Sequence, residues 1–181
     1  TAGPVSYANA VERAAPAVVN IYTSKTIETP INPLFADPRI RRYFGTDRVP
    51  TRKRMQSSLG SGVIVDGSGL IVTNNHVIEG ADEVKVSLAD KREFEATLVL
   101  KDQRTDLAVL RIKDGRERFP SLDFANSDAL EVGDVVLAVG NPLGVGQTVT
   151  MGIVSAKGRS TSSGRGSVSY EDFLQTDAPI N

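Results

Sequence analysis

The chain has 181 residues, of which 40% are hydrophobic and 24% charged, and its formal net charge is −1. Such a composition is typical of a folded globular chain, and the near-neutral charge gives no general attraction to nucleic acid, which we do not expect as a partner. The chain lacks cysteine and holds one histidine, which excludes disulfides and thiolate nucleophiles and argues against a catalytic zinc site. We therefore expect no metal and no cofactor.

The N-terminal segment, residues 1–16, predicts a short helix. Ser6 can cap a helix over Tyr7–Ala15, and Pro16 ends it. The β-rich run Ala17–Thr23 then predicts the first strand. No apolar run approaches the roughly 20 residues that span a bilayer, and no secretory signal is present, so we expect any membrane anchor to lie outside these residues.

Residues 26–57 predict a long loop, because prolines interrupt the pattern and basic residues follow one another closely. The basic residues between positions 39 and 54 are Arg39, Arg41, Arg42, Arg48, Arg52, Lys53 and Arg54. They suggest an acidic partner or, more simply, a solvated loop. Four apolar side chains in this loop are expected to dock on a neighbouring surface: Leu34, Phe35, Tyr43 and Phe44.

The next stretch predicts a hairpin that leads to the single histidine. Ser61–Val65 and Leu70–Thr73 are short β-branched runs, and the turn residues Asp66-Gly67-Ser68-Gly69 separate them. Asn74 and Asn75 continue a strand poorly, so we expect a single helical turn at His76. The imidazole is then placed at the rim of a rigid sheet, where it serves either acid–base chemistry or only a structural hydrogen bond.

Three further alternating runs predict strands at Glu83–Leu88, Glu93–Leu100 and Leu107–Ile112. With the earlier ones they make about six strands with almost no helix, which is typical of a small closed β-barrel over residues 17–114. Residues 115–181 then predict a connector and a second, incomplete barrel. Its strands are expected at Val135–Val139, Gln147–Ala156 and Phe173–Thr176, with a surface loop over Gly158–Ser169.

Asp106 is the candidate partner of His76. It stands between a polar turn and the start of a strand, at the edge of the same predicted barrel. A carboxylate in that place can accept the imidazole Nδ1 proton, fix the tautomer and stabilise an imidazolium. The alternative is an aspartate that only caps the Arg104-Thr105 turn.

Four motifs, in this order and spacing, strongly resemble the protease domain of the HtrA (Deg) family of serine proteases. They are Thr73-Asn74-Asn75-His76-Val77-Ile78, Thr105-Asp106-Leu107-Ala108-Val109-Leu110, Gly140-Asn141-Pro142 and Phe173-Leu174-Gln175-Thr176-Asp177-Ala178-Pro179-Ile180-Asn181. The resemblance runs from about Ser6 to the last residue. It is closest to the DegS and AlgW branch of envelope-stress sensor proteases, and the DegP branch is the close alternative.

The resemblance implies an all-β, chymotrypsin-like fold of two six-stranded barrels with the active site between them. It also implies that His76 is the general base and acid, and that Asp106 orients it. The family's serine nucleophile lies in a Gly-Asn-Ser-Gly-Gly motif, which does not occur in these residues and is expected just after Asn181. We therefore expect these 181 residues by themselves not to hydrolyse peptides.

The family resemblance further implies a role in the bacterial periplasm, in protein quality control or stress signalling, with protein or peptide substrates. It implies a homotrimer formed through the N-terminal segment, with Tyr7 as a candidate contact. By position, Arg159 matches a sensor-loop arginine and Gln175 matches a glutamine of the activation cluster. Leu143 departs from the family, which usually has an aromatic residue there. The alternatives are a non-catalytic barrel that binds peptides by strand addition and an oligomerisation fragment.

Overall fold

Six antiparallel strands close into a barrel in the first part of the chain. The computed structural model describes residues 6–30, 39, 42, 51–113, 116–140, 146–159 and 172–180. The barrel strands are β1 (Val18–Pro30), β2 (Thr51–Asp66), β3 (Leu70–Asn74), β4 (Glu83–Ser87), β5 (Glu93–Asp102) and β6 (Leu107–Ile112). They pair in the order β1-β2-β3-β6-β5-β4, and β4 pairs with β1 to close the barrel. The predicted all-β class and the six-stranded first barrel are confirmed.

Alternating aliphatic side chains fill this barrel. The side chains of Ile21, Ile64, Ile71 and Leu110 are completely buried. They belong to four different strands, so that each strand contributes one face to a shared apolar interior. Burial of each such side chain stabilises the fold by about 1.5–3 kcal/mol, which makes the barrel a firm support for residues at its rim.

The N-terminal segment forms the expected short helix, α1 (Ala8–Ala14), and the Ser6 hydroxyl accepts a hydrogen bond from the backbone N–H of Ala8 at 3.3 Å. A 3₁₀ helix follows at Ala15–Ala17, where Pro16 cannot continue the α-helical bonding. The predicted hairpin of β2 and β3 is present. Its turn is closed by a 3.0 Å bond from Gly69 N–H to the Asp66 carbonyl, and Gly69 has the positive φ of +83° that this turn requires.

The prediction of a long loop over residues 26–57 is wrong at both ends of that range. Strand β1 continues to Pro30 and β2 begins at Thr51, and the two pair in register from Val18 with Val63 to Pro30 with Thr51. Most of this two-stranded extension is exposed, so its strands lack the apolar alternation by which a sequence marks a half-buried strand. The apolar residues Leu34, Phe35, Tyr43 and Phe44 lie outside the described residues.

A second antiparallel sheet follows the barrel. It consists of β7 (Val135–Gly140), β8 (Thr148–Arg159) and β9 (Phe173–Thr176), in the order β7-β8-β9. The pairing of β7 with β8 places six apolar side chains on one face: Val135, Leu137, Val139, Val149, Met151 and Ile153. Four of the six are 36–56% exposed, so this face is not covered by the described residues. The sheet agrees with the predicted incomplete second barrel.

The connector between the two sheets is attached to the first barrel. Phe119 is buried, its ring meets that of Phe94 edge to face at 5.2 Å, and its backbone N–H donates to the Gly67 carbonyl at 3.0 Å. A short 3₁₀ helix at Ser127–Ala129 then leads into β7. Within the described residues, no helix is both long enough and apolar enough to cross a bilayer.

Candidate active site

A single helical turn at the end of β3 carries the histidine, as the sequence predicts. This turn, α2 (Asn75–Ile78), begins after Asn74, whose backbone is still extended. Ile78 is buried in the barrel core, and the Val77 side chain lies against Gly60 of β2. Because these two apolar side chains face the barrel, His76 is left on the outer side of the turn.

Gly60 allows this close approach. A Cβ atom at position 60 would lie 2.5 Å from Val77 Cγ1, a distance that real contacts do not show. A glycine in a strand often marks such a close approach. The glycine therefore sets how deeply α2 sits on the barrel, and through α2 it sets the position of His76.

Replacement of Gly60 by alanine is expected to destabilise the protein. Alanine gains about 0.4–1 kcal/mol by restricting the unfolded chain. The clash with the stiff, β-branched Val77 costs more, about 1–3 kcal/mol, so the net effect is a lower free energy of unfolding. Urea denaturation measures it, and replacement of the exposed Ser58 in the same strand by alanine is the control. Equal or higher stability of Gly60→Ala would show that α2 does not depend on this contact.

Asp106 holds the start of α2 with both its backbone and its side chain. Its carbonyl oxygen accepts from the Asn75 N–H at 3.0 Å and from the Asn74 side-chain amide at 3.2 Å. Its carboxylate accepts from the backbone N–H of His76 at 2.9 Å. The bonds from Asn75 and His76 satisfy backbone N–H groups that the first turn of a helix leaves without a partner. Asp106 has a φ of +54°, a conformation that aspartate tolerates better than most residues.

The two candidate catalytic side chains are in direct contact. The Nδ1 atom of His76 lies 2.6 Å from Oδ2 of Asp106. An ionised carboxylate only accepts hydrogen bonds, so Nδ1 carries the proton and donates it. In the neutral ring the lone pair is then on Nε2, and the imidazole is 68% exposed. This arrangement presents a general base, held in one tautomer, to an incoming group.

The contact with His76 also determines the ionisation of Asp106. The hydrogen bond from the imidazole, followed by that from the His76 backbone N–H, holds the pKa of Asp106 below its usual range. Hydrogen bonds to a carboxylate favour its charged form. Asp106 is therefore ionised at neutral pH, as an acceptor for Nδ1–H must be.

This lowered pKa predicts how the stabilising effect of Asp106 depends on pH. A carboxyl group with a lower pKa in the folded state stabilises the protein above its ordinary pKa of about 3.9, and this stabilisation is lost as the pH falls through the lowered value. We expect the free energy of unfolding of the wild type to exceed that of Asp106→Asn at neutral pH. The difference between the two free energies should disappear on acidification, and urea denaturation of both proteins at neutral and at acidic pH measures it. A difference of the same size at neutral and at acidic pH would contradict the lowered pKa.

The two candidate regulatory residues lie in the second sheet, whereas His76 and Asp106 lie at the rim of the first barrel. Arg159 ends β8 and is exposed, and Gln175 is an exposed residue of β9. In the sheet register, Arg159 is the partner of Phe173 and Gln175 is the partner of Ala156. No hydrogen bond joins either residue to His76 or Asp106 within the described ranges. Leu143 lies outside those ranges.

Sequence reasoning missed Asn74 and Gly60 as supports of the site. The residue type of Asn74 predicts the end of a strand but does not identify the distant partner of its side-chain amide, which donates to the Asp106 carbonyl. Gly60 belongs to a Gly-Ser-Gly run in β2, and two glycines within a strand are the available signal of a close approach.

Comparison with known proteins identifies the family. Residues 60–181 match the trypsin-like peptidase domain family. The chain is 44% identical, over 97% of its length, to a probable periplasmic serine protease do/HhoA-like of Haemophilus influenzae. It is 46% identical, over 98% of its length, to the serine endoprotease DegS of Salmonella typhimurium. It spans 39% and 43% of those two relatives.

A solved structure shares the fold. A variant of the HtrA-type protease AlgW with a decapeptide superposes with a TM-score of 0.79 at 52% identity. The alignment covers 98% of this chain and 52% of that protein. The chain therefore belongs to the trypsin-like peptidase family, within its HtrA-type group near DegS and AlgW.

Proposed function

We propose that the full-length protein is an HtrA-type serine endopeptidase in which His76 is the general base and acid and Asp106 orients it. The observation that carries the proposal is the 2.6 Å contact between His76 Nδ1 and Asp106 Oδ2 at the rim of the closed barrel. It leaves the lone pair on Nε2 of an imidazole that is 68% exposed, so that Nε2 can take a proton from a hydroxyl group. The family membership supports this role for the pair.

In the proposed mechanism, the nucleophile is a serine of a Gly-Asn-Ser-Gly-Gly motif that we expect after Asn181. The Nε2 atom of His76 takes the serine proton as the hydroxyl attacks the scissile carbonyl, and returns it to the leaving amine. The Asp106 carboxylate stabilises the imidazolium that exists between these steps. Backbone N–H groups of the serine motif would stabilise the oxyanion.

The proposal extends to location, partners and regulation. Relatives of this chain are named periplasmic serine proteases, which supports a periplasmic site of action in the bacterial envelope. We propose protein or peptide substrates and a homotrimer formed through residues 1–16, with Tyr7 as a contact. We also propose that Arg159 and Gln175 take part in activation, and that a membrane anchor lies outside the 181 residues.

Labelling by a fluorophosphonate probe tests the proposal. The probe reacts with activated serines, so we expect it to modify the full-length protein at one serine, and peptide mapping should place that serine C-terminal to Asn181. Binding of peptides without any labelling would overturn the proposal and would favour a non-catalytic barrel that adds a peptide strand to its edge.

A further inference from the structure

Strand β9 stops pairing with β8 at Thr176, and the chain then leaves the sheet. The last paired residues are Val154 and Thr176, and the pairing is already irregular between Val154 and Ala156. Beyond Thr176, a side chain and not the backbone of β9 accepts a hydrogen bond from β8. The carboxylate oxygen Oδ1 of Asp177 accepts from the backbone N–H of Ile153 at 2.7 Å.

Gly152 of β8 lies directly beneath the point where the chain leaves the sheet. A Cβ atom at position 152 would lie 2.2 Å from the backbone nitrogen of Ala178 and 2.5 Å from Asp177 Oδ1. Ala178 itself is only 5% exposed. The peptide that joins Asp177 to Ala178 therefore lies on the bare α-carbon of Gly152, and a side chain there would push the segment away from the sheet.

Two hydroxyl groups hold the same segment. The Thr150 hydroxyl donates to the Pro179 carbonyl at 2.6 Å, and the Thr176 hydroxyl accepts from the Ala178 N–H at 3.1 Å. We call these three hydrogen bonds and the Gly152 contact the exit latch. It fixes residues 176–179, although the next residue, Ile180, is 76% exposed.

Asp177 acts in the exit latch as a hydrogen-bond acceptor. Among the described residues, no cation forms an ion pair with it, and its one observed partner is the Ile153 N–H. An exposed carboxylate without a cation adds little stability to the fold as a whole. Its effect is local, because it directs the backbone that follows.

We infer that Asp177, seated on Gly152, is a positioning residue that sets the course of the chain from β9 toward the nucleophile. The inference rests on the proposed function, in which the serine follows within a few residues of Asn181. A displacement of about 1 Å at a reacting group can lower a rate by 10²-fold. Loss of the Ile153 bond should therefore affect the chemical step more than substrate binding.

The test compares three variants of the full-length protein: Asp177→Ala, Asp177→Asn and, as a matched control, Asp123→Ala. Asp123 is an exposed carboxylate with no hydrogen bond among the described residues. We expect Asp177→Ala to lower kcat by about tenfold or more with little change in KM, since misplacement acts on the reacting atoms. Asp177→Asn keeps an oxygen that can accept from Ile153 and should retain most of the activity. Asp123→Ala should behave as the wild type.

Two outcomes overturn the inference. One is an unchanged kcat in Asp177→Ala, and the other is an equal loss in Asp177→Asn, which would mean that charge and not the accepted bond matters. If Asp177→Ala does not fold, as near-UV circular dichroism would reveal, Thr150→Val replaces it. This variant removes the bond that holds the same segment at Pro179 and should also lower kcat. An unchanged kcat would mean that the course of residues 176–179 does not affect the reaction, which would overturn the inference.

The rate of fluorophosphonate labelling separates this inference from the proposed function. No labelling of the wild type would contradict the proposed function itself. Labelling of the wild type together with an equal rate in Asp177→Ala would contradict only the inference that Asp177 is a positioning residue. Labelling of the wild type that is slower in Asp177→Ala and restored in Asp177→Asn is the result that we expect.

Discussion

Replacement of His76 by alanine is expected to lower kcat/KM of the full-length protein by about 10⁴-fold or more. The chain has one histidine, so no second imidazole within it can take over the proton transfer. Without a base the serine hydroxyl keeps its proton and is a weak nucleophile. Hydrolysis of a peptide substrate and the rate of fluorophosphonate labelling should both fall, because both need the activated serine.

The fold should survive this change. The imidazole is 68% exposed, and its removal opens no cavity in the barrel core. Glu79, the exposed residue that follows α2, offers a matched control, and Glu79→Ala should retain full activity. A His76→Ala protein that stays folded and hydrolyses peptide at the wild-type rate would exclude the histidine from the reaction.

Replacement of Asp106 by asparagine is expected to lower kcat by about 10⁴-fold, the size of the effect in a serine protease triad. The asparagine amide can turn a donor toward Nδ1 of His76, which favours the tautomer that carries its proton on Nε2. That tautomer cannot accept the serine proton. The measurement is kcat at neutral pH, with the midpoint of urea unfolding recorded on the same protein.

Asparagine is chosen because it preserves the backbone. Like aspartate, it tolerates the positive φ of position 106, and its side-chain oxygen can still accept from the His76 N–H. The control is Asp102→Asn, since Asp102 also accepts local hydrogen bonds, from Arg104 N–H and the Thr105 hydroxyl, but does not contact the imidazole. A loss of activity as large in Asp102→Asn as in Asp106→Asn would assign the effect to the turn and not to the pair.

Most of the fold was predictable from local sequence patterns. The β-branched runs on both sides of Asp66-Gly67-Ser68-Gly69 specify a hairpin by themselves, because the turn needs the glycine that occupies its last position. The helical turn at His76 was likewise predictable, since Asn74 and Asn75 favour the end of a strand. The alternation of apolar and polar residues predicted the strands β4, β5 and β6 of the barrel.

Features that depend on distant residues were not predictable. His76 and Asp106 are separated by 30 positions; the local sequence offered Asp106 as a partner but also as a simple turn cap, and the resemblance to a family was needed to choose between the two. The hydrogen bond from Asn74 to Asp106 and the contact of Val77 with Gly60 also join residues that are distant in the sequence. The exposed extension of β1 and β2 is stabilised by pairing and not by burial, so its sequence carries no apolar period.

The central claim is that Asp106 fixes the imidazole of His76 with its proton on Nδ1. Because the 181 residues contain one histidine, ¹⁵N NMR of its ring in this chain is free of overlap with other imidazoles. For the neutral ring we predict a protonated Nδ1 and an unprotonated Nε2, and we predict that Asp106→Asn reverses this preference. A neutral ring with its proton on Nε2 in the wild type, or a spectrum that Asp106→Asn leaves unchanged, would contradict the account.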